Sequence, residues 1–181
     1  KLLTSADATH DTVVKAIEAA VAATGGDDRL IVAFFGRGTS AADKPCFLTA
    51  DSTVKDRAKA AVLAADLEPA FKKLKRQNVV LMMDVQYKGG IDAGAEKIVE
   101  PSVADYIKLL FGDKEDENAL TPNRLLLLGN PPFQDALAKG GHGLFFSTLQ
   151  AGLSGAADQP PFREGYESDG VVSAKEIVAY L

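Results

Sequence analysis

Along the chain, short all-apolar runs alternate with stretches whose apolar residues recur every three or four positions. The first periodic stretch opens at Thr9, an N-cap candidate. It places Val13, Ile17, Ala20 and Val21 on one helical face and stops at Gly25-Gly26. Leu30-Ile31-Val32-Ala33-Phe34-Phe35 follows, short, β-branched and aromatic, which predicts a buried parallel strand. Gly36 to Pro45 reads as a loop, and Cys46-Phe47-Leu48 as a short strand. A helix is expected from Asp66, with Pro69 in its first turn and Leu67, Phe71 and Leu74 on one face. Asn78 to Met83 predicts a second apolar strand that ends at Asp84.

The same alternation continues. Gly89 to Pro101 reads as loop, and Ser102 caps a helix through Tyr106, Ile107 and Leu110 that Gly112 ends. A charge run follows, and Arg124 to Leu128 predicts a third buried strand. Gly143 to Leu153 reads as helix, with Gly155 near its end. Ser173-Ala174-Lys175-Glu176 is a capping box opening a terminal helix to Leu181. Strands alternating with helices predict an α/β domain with a mostly parallel sheet. In such sheets the working site lies at the carboxyl ends of the strands. The segments after Phe35 and after Met83 are therefore the ones to read for chemistry.

Composition narrows that chemistry. The 181 residues suit one domain, and 46% hydrophobic with 25% charged residues suits a globular core. One Cys excludes an internal disulfide, and one Cys with two His excludes a Cys/His zinc cage. Thiol or imidazole catalysis has only Cys46, His10 and His142 to draw on. A net charge of −5 argues against nucleic-acid binding. No run approaches the roughly 20 apolar residues that span a bilayer, so no membrane partner is expected. The chain begins at Lys1 with no visible signal peptide, and it reads as a processed or trimmed product. A cytoplasmic setting is the default.

Three motifs invite specific readings, and each has an ordinary one beside it. Gly36-Arg37-Gly38-Thr39-Ser40-Ala41 fits the G-x-G-x-x-A dinucleotide pattern, but Asp43-Lys44-Pro45 gives no helix opening to hold a pyrophosphate. Gly165 to Glu176 can be laid on a calcium-loop template, with Asp169-Gly170 at positions five and six and Glu176 at twelve. Position one is Gly165, not an acid. Cys46, between Pro45 and Phe47, reads as a buried inert thiol, and His10 on a first helical turn reads as solvated. A Cys46–His142 pair requires the fold to bring them together. No metal or cofactor is expected.

At its two strand-end segments the chain resembles the caspase-like cysteine peptidases, the group of caspases, metacaspases and bacterial relatives. That family carries one strand ending in F-S-G-H-G and a later one ending in D-A-C-H-S-G-G. The matching segments are Phe34-Phe35-Gly36-Arg37-Gly38 and Asp84-Val85-Gln86-Tyr87-Lys88-Gly89-Gly90. The dyad positions lie 49 residues apart, close to the ~50 of caspases. Leu48-Thr49-Ala50-Asp51 is similar to the family's Leu-x-x-Asp segment. Collinear pieces continue through Gly141-His142-Gly143, Leu153 to Asp158 and Asp169 to Tyr180.

The resemblance implies a three-layer α/β fold with helices on both faces of the sheet. It also implies a large-subunit-like part (about 1–112), a small-subunit-like part (about 113–181), and a first strand and helix that would precede Lys1. Its dyad positions are occupied by Arg37 and Gln86. Gln is no nucleophile, and Arg stays protonated and cannot act as a base. By resemblance Asp84 is the acid that helps metacaspases hold a basic P1 side chain, and Phe35 stands where a Ser usually assists it. The expected role is that of a pseudopeptidase binding a protein or peptide segment, such as an active caspase-like relative. The binding surface would comprise Phe35, Gly36, Gly38, Asp51, Asp84 and Tyr87 around Arg37 and Gln86. An Arg37–Asp84 ion pair would fill the old cleft. Two other readings stand beside it: a hydrolase with a displaced nucleophile at Cys46 or Ser40, and a nucleotide-binding or small-molecule-binding domain using Gly36–Ala41.

Overall fold

The computed structural model describes residues 1–41, 44–53, 56–74, 78–86, 102–111, 124–129, 138–139, 142–158 and 168–181. They divide into two compact units, Lys1–Asp135 and Ala136–Leu181.

The first unit is an α/β structure. Helix α1 (His10–Ala23) starts at Thr9, whose hydroxyl accepts from Thr12 N while Thr9 N donates to Thr12 Oγ1 at 3.0 Å. Thr12 thus closes the capping box that Glu or Gln usually closes. Strand β1 (Arg29–Ala41) leads into β2 (Lys44–Phe47), then a short helix α2 (Arg57–Ala60) and β3 (Val62–Leu63). Helix α3 (Ala64–Phe71), strand β4 (Asn78–Gln86), helix α4 (Val103–Phe111) and strand β5 (Arg124–Leu128) complete it. The sheet order is β3-β2-β1-β4-β5. β1 runs parallel to β4 over nine positions and β4 parallel to β5 over five. The antiparallel pairs with β2 and β3 cover four and two, so the sheet is mainly parallel by length.

Side-chain alternation sorts one face into the core. Leu30 and Val32 of β1 stand beside Val79 and Leu81 of β4, with Met83 and Val85 continuing the row. Ile17 and Val21 of α1, Leu67 and Phe71 of α3 and Tyr106 of α4 pack into the same cluster. Each such burial is worth about 1.5–3 kcal/mol. Phe34 stacks on Phe47 with centroids 5.1 Å apart, tying β1 to β2. The alternate residues of β1 face the other way, and there Ile31 is 57% and Phe35 45% exposed.

Three sequence expectations need correction. Gly36–Ala41 is not a loop but the second half of β1, paired with β2 from Gly38↔Phe47 to Ala41↔Lys44. Ladder pairing of Gly36 with β4 and of Gly38 with β2 outweighs their turn preference, and neither glycine takes a positive φ. β4 does not stop at Asp84 but continues to Gln86, because the parallel ladder with β1 extends to Arg37↔Gln86. Helix α3 begins at Ala64, before Asp66, so Pro69 sits inside it instead of in its first turn. Asp66 is an N3 residue, and its Oδ2 accepts from Leu63 N at 2.7 Å. Ser102 does cap α4, with Asp105 N donating to its hydroxyl and Asp105 Oδ2 accepting from Ser102 N.

The second unit holds an antiparallel pair, β6 (Ala138–Lys139) with β7 (His142–Gly143), then α5 (Leu144–Ala151) and α6 (Ala174–Tyr180). A π-turn, Gly152–Ala156, extends α5 and contains a kink at Gly155, whose φ of 113° suits glycine. A Cβ on Gly152 would meet the Tyr180 ring at 3.0 Å and Ile177 at 3.2 Å, so α6 packs on a bare backbone position. Ser173 caps α6. Its hydroxyl accepts from Glu176 N at 3.2 Å, and the Glu176 carboxylate accepts from Ser173 N at 2.7 Å.

Candidate functional site

The parallel ladder brings the two dyad-like positions together. Arg37 is the register partner of Gln86, and Phe35 that of Asp84. Neighbouring strands lie about 4.8 Å apart, and residues in register on parallel strands project to the same face. Phe35, Arg37, Asp84 and Gln86 therefore form one patch where the β1–β4 ladder ends, at the carboxyl end of β4. It lies on the face opposite the core. Arg37 is exposed, while Asp84 and Gln86 are half-buried.

Asp84 has the notable electrostatics. Burial pushes its carboxyl above the ordinary aspartate value. The expected Arg37–Asp84 ion pair is not formed: among the described residues no ion pair joins them.

The other candidate residues fall elsewhere. Gly36, level with Val85, has open space where a Cβ would stand, and Gly38 is buried at the start of the β1–β2 hairpin. Asp51 lies on the turn after β2. There its carboxylate accepts from His10 N at 3.0 Å and from the Thr49 hydroxyl at 2.7 Å, the latter chiefly holding its pKa below the usual value. Tyr87 lies outside the described residues, as does the ring of His142.

The two displaced nucleophile candidates are core residues. Cys46 is 0% exposed and its Sγ donates to the Thr39 carbonyl at 3.4 Å, and Ser40 is buried in the same hairpin. The segment offered for a dinucleotide is strand, with β2 paired along it, so its amides do not form a helix N-terminus. In the calcium-loop template, Glu176 is buried and engaged in the cap of α6. The Asp158 carboxylate accepts instead from the amides of Asp169 and Gly170 and from the Ser168 hydroxyl, fixing a turn with Gly170 at φ 82°.

His10 was expected to be solvated, yet its side chain is only 23% exposed and lies between two carboxylates. Asp11 Oδ1 stands 3.1 Å from Nδ1, and Asp66 Oδ2 stands 3.5 Å from Nε2. No periodicity links residues 10 and 66, so only the packing of α1 on α3 reveals the contact. No family model matches the chain, and no curated protein or solved structure gives a significant match.

Proposed function

We propose that the chain is a caspase-like or metacaspase-like pseudopeptidase that acts by binding a protein or peptide segment where the β1–β4 ladder ends. An active caspase-like relative is the kind of partner this reading favours. The observation that carries it is the register pair Arg37–Gln86. The parallel ladder between two adjacent strands ends at this pair, at the carboxyl end of β4, where α/β folds place their chemistry, and the side chains of Arg37 and Gln86 supply neither a nucleophile nor a base. What they supply is recognition chemistry. Arg37 offers a forked donor for carboxylates or carbonyls, Gln86 an amide, Phe35 an exposed ring, and Asp84 an acceptor for a basic side chain.

Burial of Cys46 and Ser40 counts against a displaced nucleophile, because a substrate carbonyl cannot reach either without opening the hairpin. The strand character of Gly36–Ala41 counts against nucleotide binding. The test combines a fluorogenic Arg/Lys peptide panel and thiol- and serine-directed probes with photocrosslinking from position 86. The expected result is no turnover, and crosslinks to a partner protein that Arg37→Glu removes. Turnover abolished by Cys46→Ala or Ser40→Ala overturns the proposal.

A further inference from the structure

His10 stands where three segments meet. It is the first residue of α1, its backbone N–H is held by Asp51 of the turn after β2, and its ring reaches Asp66 at the start of α3. Both ring nitrogens face carboxylates, Nδ1 toward Asp11 and Nε2 toward Asp66. A carboxylate at neutral pH only accepts, and a neutral imidazole carries one N–H. Only the imidazolium can donate to both. The turn that Asp51 belongs to is tied at two further points: Ala50 N donates to Ala8 O at 2.8 Å, and Leu48 N donates to Arg37 O at 2.8 Å. The contacts thus run from His10, through its backbone N–H and the turn, to the backbone of the residue at the centre of the candidate site.

We propose that His10 is a proton-operated staple: charged, it fastens the start of α1 to the start of α3 and steadies the Leu48–Ser52 turn that holds β1 at Arg37. Deprotonation releases one of the two ring contacts and loosens that turn. The groups facing the ring are Asp11 from its own helix, Asp66 from α3, and the Asp51 carboxylate from the turn; Lys15 reaches Asp11 Oδ2 at 3.7 Å and offsets part of its charge. Partial burial opposes the charge on His10. Hydrogen bonds and charge from Asp11 and Asp66 outweigh it, so its pKa lies above the ordinary value of 6.5. A raised histidine pKa stabilises the fold fully below the unfolded value, and that stabilisation is lost as pH rises through the folded one. The staple is independent of what the site binds.

The test is NMR on the isotope-labelled full chain. It reads the His10 ring titration and the exchange protection of the Leu48 and Ala50 amides, normalised to intrinsic rates, between pH 5.5 and 8.5. The expected ring pKa is above 6.5 and falls in Asp66→Asn. Protection of Ala50 drops several-fold across the titration in the wild-type chain and stays flat in His10→Gln. A wild-type ring titrating at or below 6.5 overturns the staple, whether or not the variants fold. So does a ring pKa that Asp66→Asn leaves unmoved, or an equal loss of protection in His10→Gln.

Discussion

Arg37 and Gln86, 49 positions apart in the chain, stand side by side as the last register pair of the β1–β4 ladder. A permanent cation is thereby set beside an uncharged amide at the mouth of a parallel sheet. A thiol placed there has its thiolate stabilised by the guanidinium. Gln86→Cys is expected to react with iodoacetamide at neutral pH while buried Cys46 does not. Removing the cation in Arg37→Gln/Gln86→Cys should slow that labelling by up to ~10-fold, the effect of about one pKa unit. Mass spectrometry of the time course checks both.

Asp84 titrates in the opposite sense to an ion-paired aspartate. Its folded pKa is raised by burial, so folding favours the protonated acid. That contribution is full below the unfolded value near 3.8 and is lost as pH rises through the folded value. At pH 7 the ionised carboxylate costs stability. Asp84→Asn is expected to raise the urea midpoint at pH 7 by the equivalent of ~0.5 kcal/mol, a small figure because solvent still screens the group. At pH 3 the gain should disappear.

The two faces of the sheet predict unequal mutational costs. Leu81 is 1% exposed beside Val32 and inside the main core. Leu81→Ala should cost about 2–5 kcal/mol through lost burial and a cavity. Ile31, one position before Val32 in β1, projects from the opposite face and is 57% exposed. Ile31→Ala should cost under ~1 kcal/mol. Chemical denaturation of both variants checks the contrast, and equal costs would contradict the sidedness of β1.

The caps of the helices were legible from single residue types. Thr9, Ser102 and Ser173 each begin a helix as read, because a hydroxyl that satisfies an orphan amide acts within three residues. The apolar strands were equally plain, since burial on a sheet demands little beyond local composition. What was hidden depends on distant partners. Gly36–Ala41 looks like loop until Val85 and Gln86 extend one ladder and Lys44–Phe47 supplies another. Gln86 belongs to a strand only because β1 extends alongside it. Of the candidate site, the residue types at 37 and 86 were readable, but their register and the missing Arg37–Asp84 pair were not.

Ser173→Ala should destabilise the second unit by ~1 kcal/mol. It removes the acceptor for Glu176 N and leaves the Glu176 carboxylate capping a weakened first turn. Restoring the cap with Ser173→Asp should recover most of that loss, as read by thermal unfolding in far-ultraviolet circular dichroism.

Cys46 is the chain's single sulfhydryl, and it is sealed beneath the β1–β2 hairpin with no solvent contact. Its alkylation therefore waits on the hairpin lifting. With reagent in excess, the labelling rate counts the openings of the hairpin whose first strand carries Arg37. With reagent scarce, it weighs how much of the population is open. The molecule carries a natural stopwatch for the breathing of its own β1–β2 hairpin, with no added dye or tag.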